Sequence, residues 1–406
     1  MKLLQGVRVL ESSMLLNGAT TGMLLVDLGA EVIKVESPSL GDYLRIEDTW
    51  HLHAQANKGK RSIALDLRTD AGIGVLHQLL ETTDVFLTNA VGDRNERLGI
   101  GYEQLRARKP DLIYCQNTGY GATGPYSSLP THGQMMDAMA GATPMELDED
   151  GLTRLRYAPR RVLTLMAGAE GTAAGAVYAA MHVAAALHHR DRTGEGCYLD
   201  VSSSDAVLAT AWTAATALLN RAEHFGAMQR DVREVARYQW YETLDHAFVL
   251  FCPEEQKFWR AWCELVGRPD LLDRENGIEL RREIQEVIRT RTRDEWLELA
   301  RTHRLPLGPS HNSVEEVRAD PHMAARQMFH ERDLDGRGTF TYLGQPAIVS
   351  GAAYEVPADA PTLGQHTAEI LAELGHDEAT IARLAAEGVT QGEVDTDYIS
   401  ERVHTR

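Results

Sequence analysis

The stretch LLVDLGAEVIKVESPSLGDYLR, residues 24–45, decides how the first half of the chain is read. Its opening belongs to a helix-like segment, GMLLVDLGA, which runs into AEVIKVE, a short β-branched run starting at residue 30. Similar runs lie on either side: VRVLE at 7, SIALDL at 62, DVFLTN at 84 and DLIYCQN at 111. Between them, GIGVLHQLLETT puts Val75, Leu76, Leu79 and Leu80 on one helical stripe. Strand, helix, strand at this spacing predicts an α/β fold with parallel strands and right-handed crossovers. A second alternation follows, from the Ala-rich run at 173–187 through the polar turn HHRDRTGEG to CYLDVSSSDAVL.

A chain of 406 residues exceeds the size at which one core usually keeps growing, so two domains are expected. HFGAMQRDVREVAR, 224–237, is charged and lacks a long apolar run, which suits a crossing between domains. The boundaries drawn are 1–224 with 319–406 for a large discontinuous domain and 225–318 for a small inserted one. The small domain opens with a hairpin around YETLDHAFVLFC and continues in helices carrying Phe258, Trp262, Leu265, Trp296, Leu297 and Leu299. APTLGQHTAEILAELG and DEATIARLAAEGV read as two amphipathic helices.

The 59 acidic and 41 basic side chains give a net charge of −18, which repels nucleic acid and anionic membranes except at a local basic patch. Cys115, Cys197, Cys252 and Cys263 are too few and scattered for a disulfide framework or a metal site, and point to a reducing, cytoplasmic setting. No signal peptide or membrane span is read.

Three features suggest chemistry. GYGATG, 119–124, matches GxGxxG after a strand, but Pro125 follows at once, so a glycine loop at a strand's carboxyl end is expected rather than a dinucleotide fingerprint. Lys58, Lys60 and Arg61 form a compact basic patch. In LMAGAEGTAAGAVYAAMHVAAAL, 165–187, Glu170 is the only charged residue; a carboxylate so placed is either a helix-start charge or a reactant.

Residues 24–45, NKGKRSIALDL, TNAVGDRNERLGIGYEQL and PDLIYCQNTGYGATGPY occur in the order of a known family. HRDRTGEG, EEQKFWRAWCELVGRPDLL and DPHMAARQMF continue that order. The chain thereby resembles the class III CoA-transferases, which include carnitine-type and formyl-CoA transferases and the α-methylacyl-CoA racemases. The resemblance implies a Rossmann-like large domain with an inserted small α+β domain and an interlocked homodimer. It also implies acyl-CoA and a small carboxylic acid as substrates, with no tightly bound cofactor and no metal.

Family transferases use an aspartate near the start of the small-residue helix to attack the thioester. Here Glu170 is the acidic residue within a residue or two of that position, and Gly168, Gly171 and Ala173 are expected to leave room around it. The resemblance makes Arg45, Lys58, Lys60, Arg61 and Arg94 candidates for holding CoA phosphates, with Gly119, Gly121 and Gly124 shaping the loop near the thioester. Two motif positions differ: Ser37 stands where relatives carry arginine, and Asn89-Ala90-Val91-Gly92-Asp93 replaces N-F-R-P-G. His132 falls where the racemases carry a proton-exchanging histidine, and Glu255, with Glu254 beside it, where they carry a glutamate. Racemisation through His132 and Glu170 is therefore the alternative activity. A CoA-binding protein without catalysis is the non-enzymatic one. Asp137 is considered for a buried orienting role, and Met135, Met136, Met139 and Met166 for an apolar acyl pocket.

Overall fold

The computed structural model describes residues 2–143, 145–155, 170–220, 235–334 and 336–394. The chain divides into one unit of Met1–Ala211 with Pro321–Arg406, and a second of Trp212–Asp320. The sequence-based cut at 225 lies outside the described residues, as do Met166 and Gly168.

The larger unit begins β1 (Arg8–Ser12), α1 (Leu15–Asp27), β2 (Glu31–Glu36), α2 (Trp50–Asn57), β3 (Arg61–Leu65), α3 (Asp70–Glu81) and β4 (Val85–Thr88). It continues through α4 (Arg94–Arg97), α5 (Tyr102–Arg108), β5 (Ile113–Thr118), α6 (Gly133–Met139) and a small hairpin of β6 (Met145–Leu147) and β7 (Thr153–Leu155). Then come α7 (Glu170–Thr193), β8 (Cys197–Ser202) and α8 (Ser203–Thr210). The predicted strands at 7, 30, 62, 84, 111 and 197 thus form, and they line up in one sheet. Its order is β3-β2-β1-β4-β5-β8, all parallel, with β14 (Thr390–Gln391) added antiparallel beyond β3.

Alternation along each central strand sends successive side chains to opposite faces, where helices bury both. Leu10, Ile33 and Phe86 pack with Leu76, Leu80 and Leu105 on one face. Val9, Val32, Val85 and Leu87 pack with Leu25, Ala179 and Val183 on the other. The alanines of α7 give it a thin side, so it lies close to the sheet.

The second unit runs α9 (Trp212–Leu219), β9 (Gln239–Glu242), β10 (Phe248–Phe251), α10 (Gln256–Leu265), α11 (Ile278–Ile288), α12 (Arg293–His303), β11 (Leu307–Ser310) and α13 (Val314–Ala319). β9 and β10 are the predicted hairpin, turning at Asp245 and His246, and β11 pairs with β10 to complete an antiparallel sheet. Its core is aromatic: Trp259, Trp262 and Trp296 are fully buried with Tyr241 and Phe251.

The chain then returns to the first unit through α14 (Pro321–Ala325), the hairpin β12 (Phe329–Leu334) and β13 (Gly338–Leu343), α15 (Thr367–Glu373) and α16 (Glu378–Ala386). Ile370, Leu371 and Leu384 complete the first face of the main sheet. Among the described residues, no helix is long and apolar enough to cross a membrane.

Candidate active site

From β1 the sheet extends through β2 and β3 on one side and through β4, β5 and β8 on the other. Such a reversal of strand order opens a crevice outside the carboxyl ends of β1 and β4. A cleft of about 370 Å³ lies there. Ser12 to Met14 line it after β1, the 39–43 turn after β2, Asp66 to Arg68 after β3, and Asn89, Ala90 and Arg94 after β4. Asn89 fastens two of these segments: its Oδ1 accepts from the Met14 N–H at 3.1 Å and its Nδ2 donates to the Met14 carbonyl at 2.6 Å.

A buried ion network holds the cleft wall. Lys34 Nζ lies 2.8 Å from Glu11 and 3.0 Å from Asp42, and Lys60 Nζ is 2.8 Å from Glu11. Arg45 grips Glu36 through two bonds of 2.8 Å. Burial alone would lower the Lys34 pKa, but Glu11, Asp42 and Glu36 outweigh it and raise it. Burial likewise opposes ionisation of Glu36, yet Arg45 holds it well below the usual carboxylate range. Burial and Arg45 push His53 down to about 3, so its ring is neutral. Asp42 Oδ1 accepts the N–H groups of Leu15 and Leu44, both at 3.0 Å. Leu15, at the start of α1, is thereby held at φ +60, a conformation that costs a leucine on the order of 1–3 kcal/mol.

This network corrects the reading of the basic patch. Lys58 is spent on Asp27, with both carboxylate oxygens within 2.7 Å. Lys60 and Arg45 are buried ion-pair partners, and Lys60 is pushed down to about 8 by burial and the nearby Lys34 charge. Arg61 is tied to Glu31, Glu369 and Glu373. These four cations support the fold and are not offered to a ligand. Arg94 lines the cleft. Arg68 joins it, half of a surface pair with Asp66. Sequence reading passed over Arg68, although its place just after a parallel strand puts it at the ligand-binding edge.

Gly119, Gly121 and Gly124 follow β5, at the same edge of the sheet. A side chain on Gly119 would collide with Thr131, and Gly121 and Gly124 have φ of +83 and +90, where only glycine is comfortable. Asp200 of β8 pins this loop, accepting the Ala122 N–H at 2.6 Å and the Thr123 hydroxyl at 3.0 Å. Ser203, which opens α8, donates to Asn17 at 2.9 Å and Asn117 at 3.1 Å, tying the start of α1 to the end of β5. Gly175 of α7 packs directly on Ser203.

Glu170 is the first described residue of α7 and is exposed. Its neighbour across the helix junction is Asp137 of α6, a fully buried residue whose Oδ1 accepts the Gly171 N–H at 2.8 Å. Burial raises the Asp137 pKa above its ordinary value, against the Gly171 N–H bond that favours the carboxylate, and the Glu170 charge adds to the rise. Gly171 does not leave room for substrate: the space a side chain would fill is occupied by Met136. Ala173 is exposed, Met136 is buried, and Met135 and Met139 are exposed.

His132 is the exposed cap residue of α6, and it is Asp137, a turn further along, that bonds the start of α7 through the Gly171 N–H. Glu255 is the exposed cap residue of α10, in the second unit.

The model of CoA-transferase family III matches residues 4–367. The succinate–glutarate CoA-transferase of Agrobacterium fabrum is 30% identical, the match covering 93% of this chain and 97% of that one. The succinyl-CoA:glutarate CoA-transferase of Mus musculus is 31% identical over 96% of this chain and 91% of its own. Among solved structures, Rv3272 of Mycobacterium tuberculosis superposes with a TM-score of 0.74 at 28% identity, covering 91% of this chain and 99% of that one. A CaiB/BaiF family protein of Brucella suis gives 0.67 at 28% identity, with coverage of 91% and 99%. With its parallel sheet, its carboxyl-edge cleft and a match running across nearly the whole sequence, the chain belongs to CoA-transferase family III.

Proposed function

We propose that this protein transfers CoA from an acyl-CoA to a free carboxylic acid, with Glu170 as the covalent carboxylate. The observation that carries this reading is the exposed Glu170 carboxylate at the opening of α7, backed by a second, buried carboxyl group. A carboxylate oxygen of Glu170 attacks the thioester carbonyl, the C–S bond breaks, and CoA leaves as thiolate, giving an acyl anhydride on the enzyme. Thiolate attack on the Glu170 carbonyl then expels the donor acid and leaves a Glu170–CoA thioester. The acceptor carboxylate repeats the sequence in reverse and departs as the new acyl-CoA. Every step conserves the activated acyl bond, so no external energy source is required.

CoA's anionic end is assigned to the cleft beside Arg94 and Arg68, and the thioester to the glycine loop at 119–124. The names of the A. fabrum and mouse relatives make succinyl-CoA with glutarate the first substrate pair to assay. An interlocked homodimer belongs to this reading. Val177 and Met181, one turn apart and exposed on α7, supply an apolar ridge for a second copy.

The test is acyl-enzyme trapping. Incubation with acyl-CoA followed by hydroxylamine and peptide mass spectrometry should convert Glu170 to its hydroxamate, and Glu170→Gln should abolish both label and transfer. Transfer that survives in Glu170→Gln would end the assignment.

A further inference from the structure

We infer that Asn89 is a positioning residue for CoA: it clamps the turn between β1 and α1 in a strained conformation, so that the cleft wall is set before the ligand arrives. The inference rests on the reading of this cleft as the CoA site.

Two consecutive peptide units of this turn are held by side chains alone. In the peptide joining Ser13 to Met14, the carbonyl accepts from Lys34 Nζ at 3.0 Å and the N–H donates to Asn89 Oδ1 at 3.1 Å. In the next, joining Met14 to Leu15, the carbonyl accepts from Asn89 Nδ2 at 2.6 Å and the N–H donates to Asp42 Oδ1 at 3.0 Å. The three side chains come from β2, from the turn after β2 and from just beyond β4, and among them only Asn89 touches both peptides. A backbone N–H only donates and a carbonyl only accepts, so these bonds fix which way the Asn89 amide faces. Ser13, Met14, Asp42 and Asn89 all line the cleft.

The turn so held is one that its own backbone resists. Leu15 has φ +60, where the Cβ of a leucine crowds the backbone, whereas Met14 before it is ordinary extended chain. The bend brings Gly18 onto Ser13, so that a side chain on Gly18 would collide with Ser13 Cβ and Oγ. Leu15 would return to negative φ by a flip of the Met14–Leu15 peptide, and that flip breaks the bonds to Asn89 Nδ2 and to Asp42 together. The base of the clamp is itself fixed. The Ala90 N–H donates to Thr88 Oγ1 at 3.1 Å, and the Ala90 carbonyl accepts from Gln116 Nε2 at 2.8 Å.

The clamp stands where the strand order reverses. β1 and β4 pair in parallel, with Ser12 opposite Thr88, and their chains then diverge. Asn89 bridges the two chains at that divergence, which is where an open α/β sheet receives its ligand. Strain persists at a site only when the surrounding structure overdetermines it. Here the bonds keep one backbone arrangement at the cleft, and CoA does not have to select it from two. Loss of the clamp lets Leu15 relax and the Met14–Leu15 peptide turn over, and binding then has to reverse that turn. The loss falls on CoA affinity rather than on the chemical step, because the thioester is assigned to the glycine loop at 119–124.

The test uses the full-length protein: CoA binding by titration calorimetry, transfer with succinyl-CoA and glutarate, and hydrogen exchange of the Met14 and Leu15 amides. Asn89→Ala should weaken CoA binding and raise KM for succinyl-CoA about 10-fold, in line with the strain at one such residue, with kcat changed less than about 3-fold. It should free both amides to exchange, although Asp42, the acceptor of the Leu15 N–H, is untouched. Leu15→Gly removes the penalty of positive φ, so in its background the Asn89→Ala loss should shrink to less than about 3-fold and the residue 15 amide should stay protected. The packing that Leu15→Gly gives up is missing from both members of that comparison and cancels. Asn89→Asp keeps the shape and the acceptor but removes the donor to the Met14 carbonyl; it should show the same loss, and it replaces Asn89→Ala if that variant does not fold. Equal Asn89 losses in the two backgrounds, or a Leu15 amide still protected in Asn89→Ala, overturns the clamp. A wild-type protein that binds no CoA overturns the CoA reading instead, while exchange of the two amides still decides whether the clamp exists.

Discussion

Gly171→Ala puts a methyl group into the junction of α6 and α7 beside Glu170. The added carbon would sit 2.6 Å from Met136 Cβ and 3.3 Å from Asp137 Oδ1. Carbon atoms in good contact stand about 3.5–4.0 Å apart, so roughly 1 Å must be found. Met136 Cβ is fixed to its backbone, and no rotamer change relieves the clash; α6 has to move away from α7. Overpacking of this kind costs about 1–3 kcal/mol, and the better helix propensity of alanine returns up to about 1 kcal/mol. A net destabilisation of about 1–2 kcal/mol is expected from urea unfolding. The effect on catalysis should be larger, because a displacement near 1 Å at a reacting group costs on the order of 100-fold in rate. Gly74→Ala is the control: this glycine also lies within a helix, α3, but nothing stands within 4 Å of the added carbon. That substitution should stabilise by about 0.5–1 kcal/mol and leave kcat alone. If Gly171→Ala matched the control in both stability and kcat, the close approach of α6 and α7 would have no role in holding the site.

Acidification should destabilise the fold before any surface pair matters. Neutral His53, pushed down to about 3, takes up no proton in the folded state while the unfolded chain does so from about pH 6.5 downward. Stability is therefore lost as pH falls below that value, at up to about 1.4 kcal/mol per pH unit, and His53→Leu should flatten the slope in urea melts between pH 6 and 4. Glu36 adds to the loss at lower pH, since its depressed folded value makes its contribution present above the ordinary carboxylate range and absent once it protonates. Arg94→Gln should raise KM for acyl-CoA several-fold with little change in kcat, and an unchanged KM would remove Arg94 from the CoA site. Met181→Asp should convert a dimer to monomer in light scattering; a dimer that survives would take the α7 ridge out of the interface. In deuterated buffer without acceptor acid, 2-methylacyl-CoA should gain no α-deuterium, and its exchange would revive racemisation through His132.

What the sequence made legible was whatever depends on neighbours along the chain. The runs at 7, 30, 62, 84, 111 and 197 became strands because each is short, β-branched and flanked by turn residues, and the helices between them dictate a parallel sheet. The glycines at 119, 121 and 124 were recognisable because positive φ and close approach are demands that glycine alone meets cheaply. Other features were invisible for the opposite reason. β14 is two residues long, and its pairing with β3 joins positions more than 300 residues apart. Lys58 and Lys60 of the basic patch, and Arg45 as a further candidate, read as ligand-binding cations because a cation's spacing does not reveal where its side chain ends. Their partners Asp27, Glu11 and Glu36 lie on other elements, and only the tertiary fold brings them within bonding distance.

The same limit applies to the site itself, with an instructive difference. Glu170 stood out as an isolated carboxylate among glycines and alanines, and that isolation is true only along the chain. Its counterpart, Asp137, lies 33 residues earlier on a short helix whose hydrophobic pattern gives no reason to bury an acid. A buried acid with one bonded oxygen and one bare one is costly unless something compensates it. Burial accordingly raises the Asp137 pKa above its ordinary value; the Gly171 N–H bond opposes the rise and the Glu170 charge adds to it.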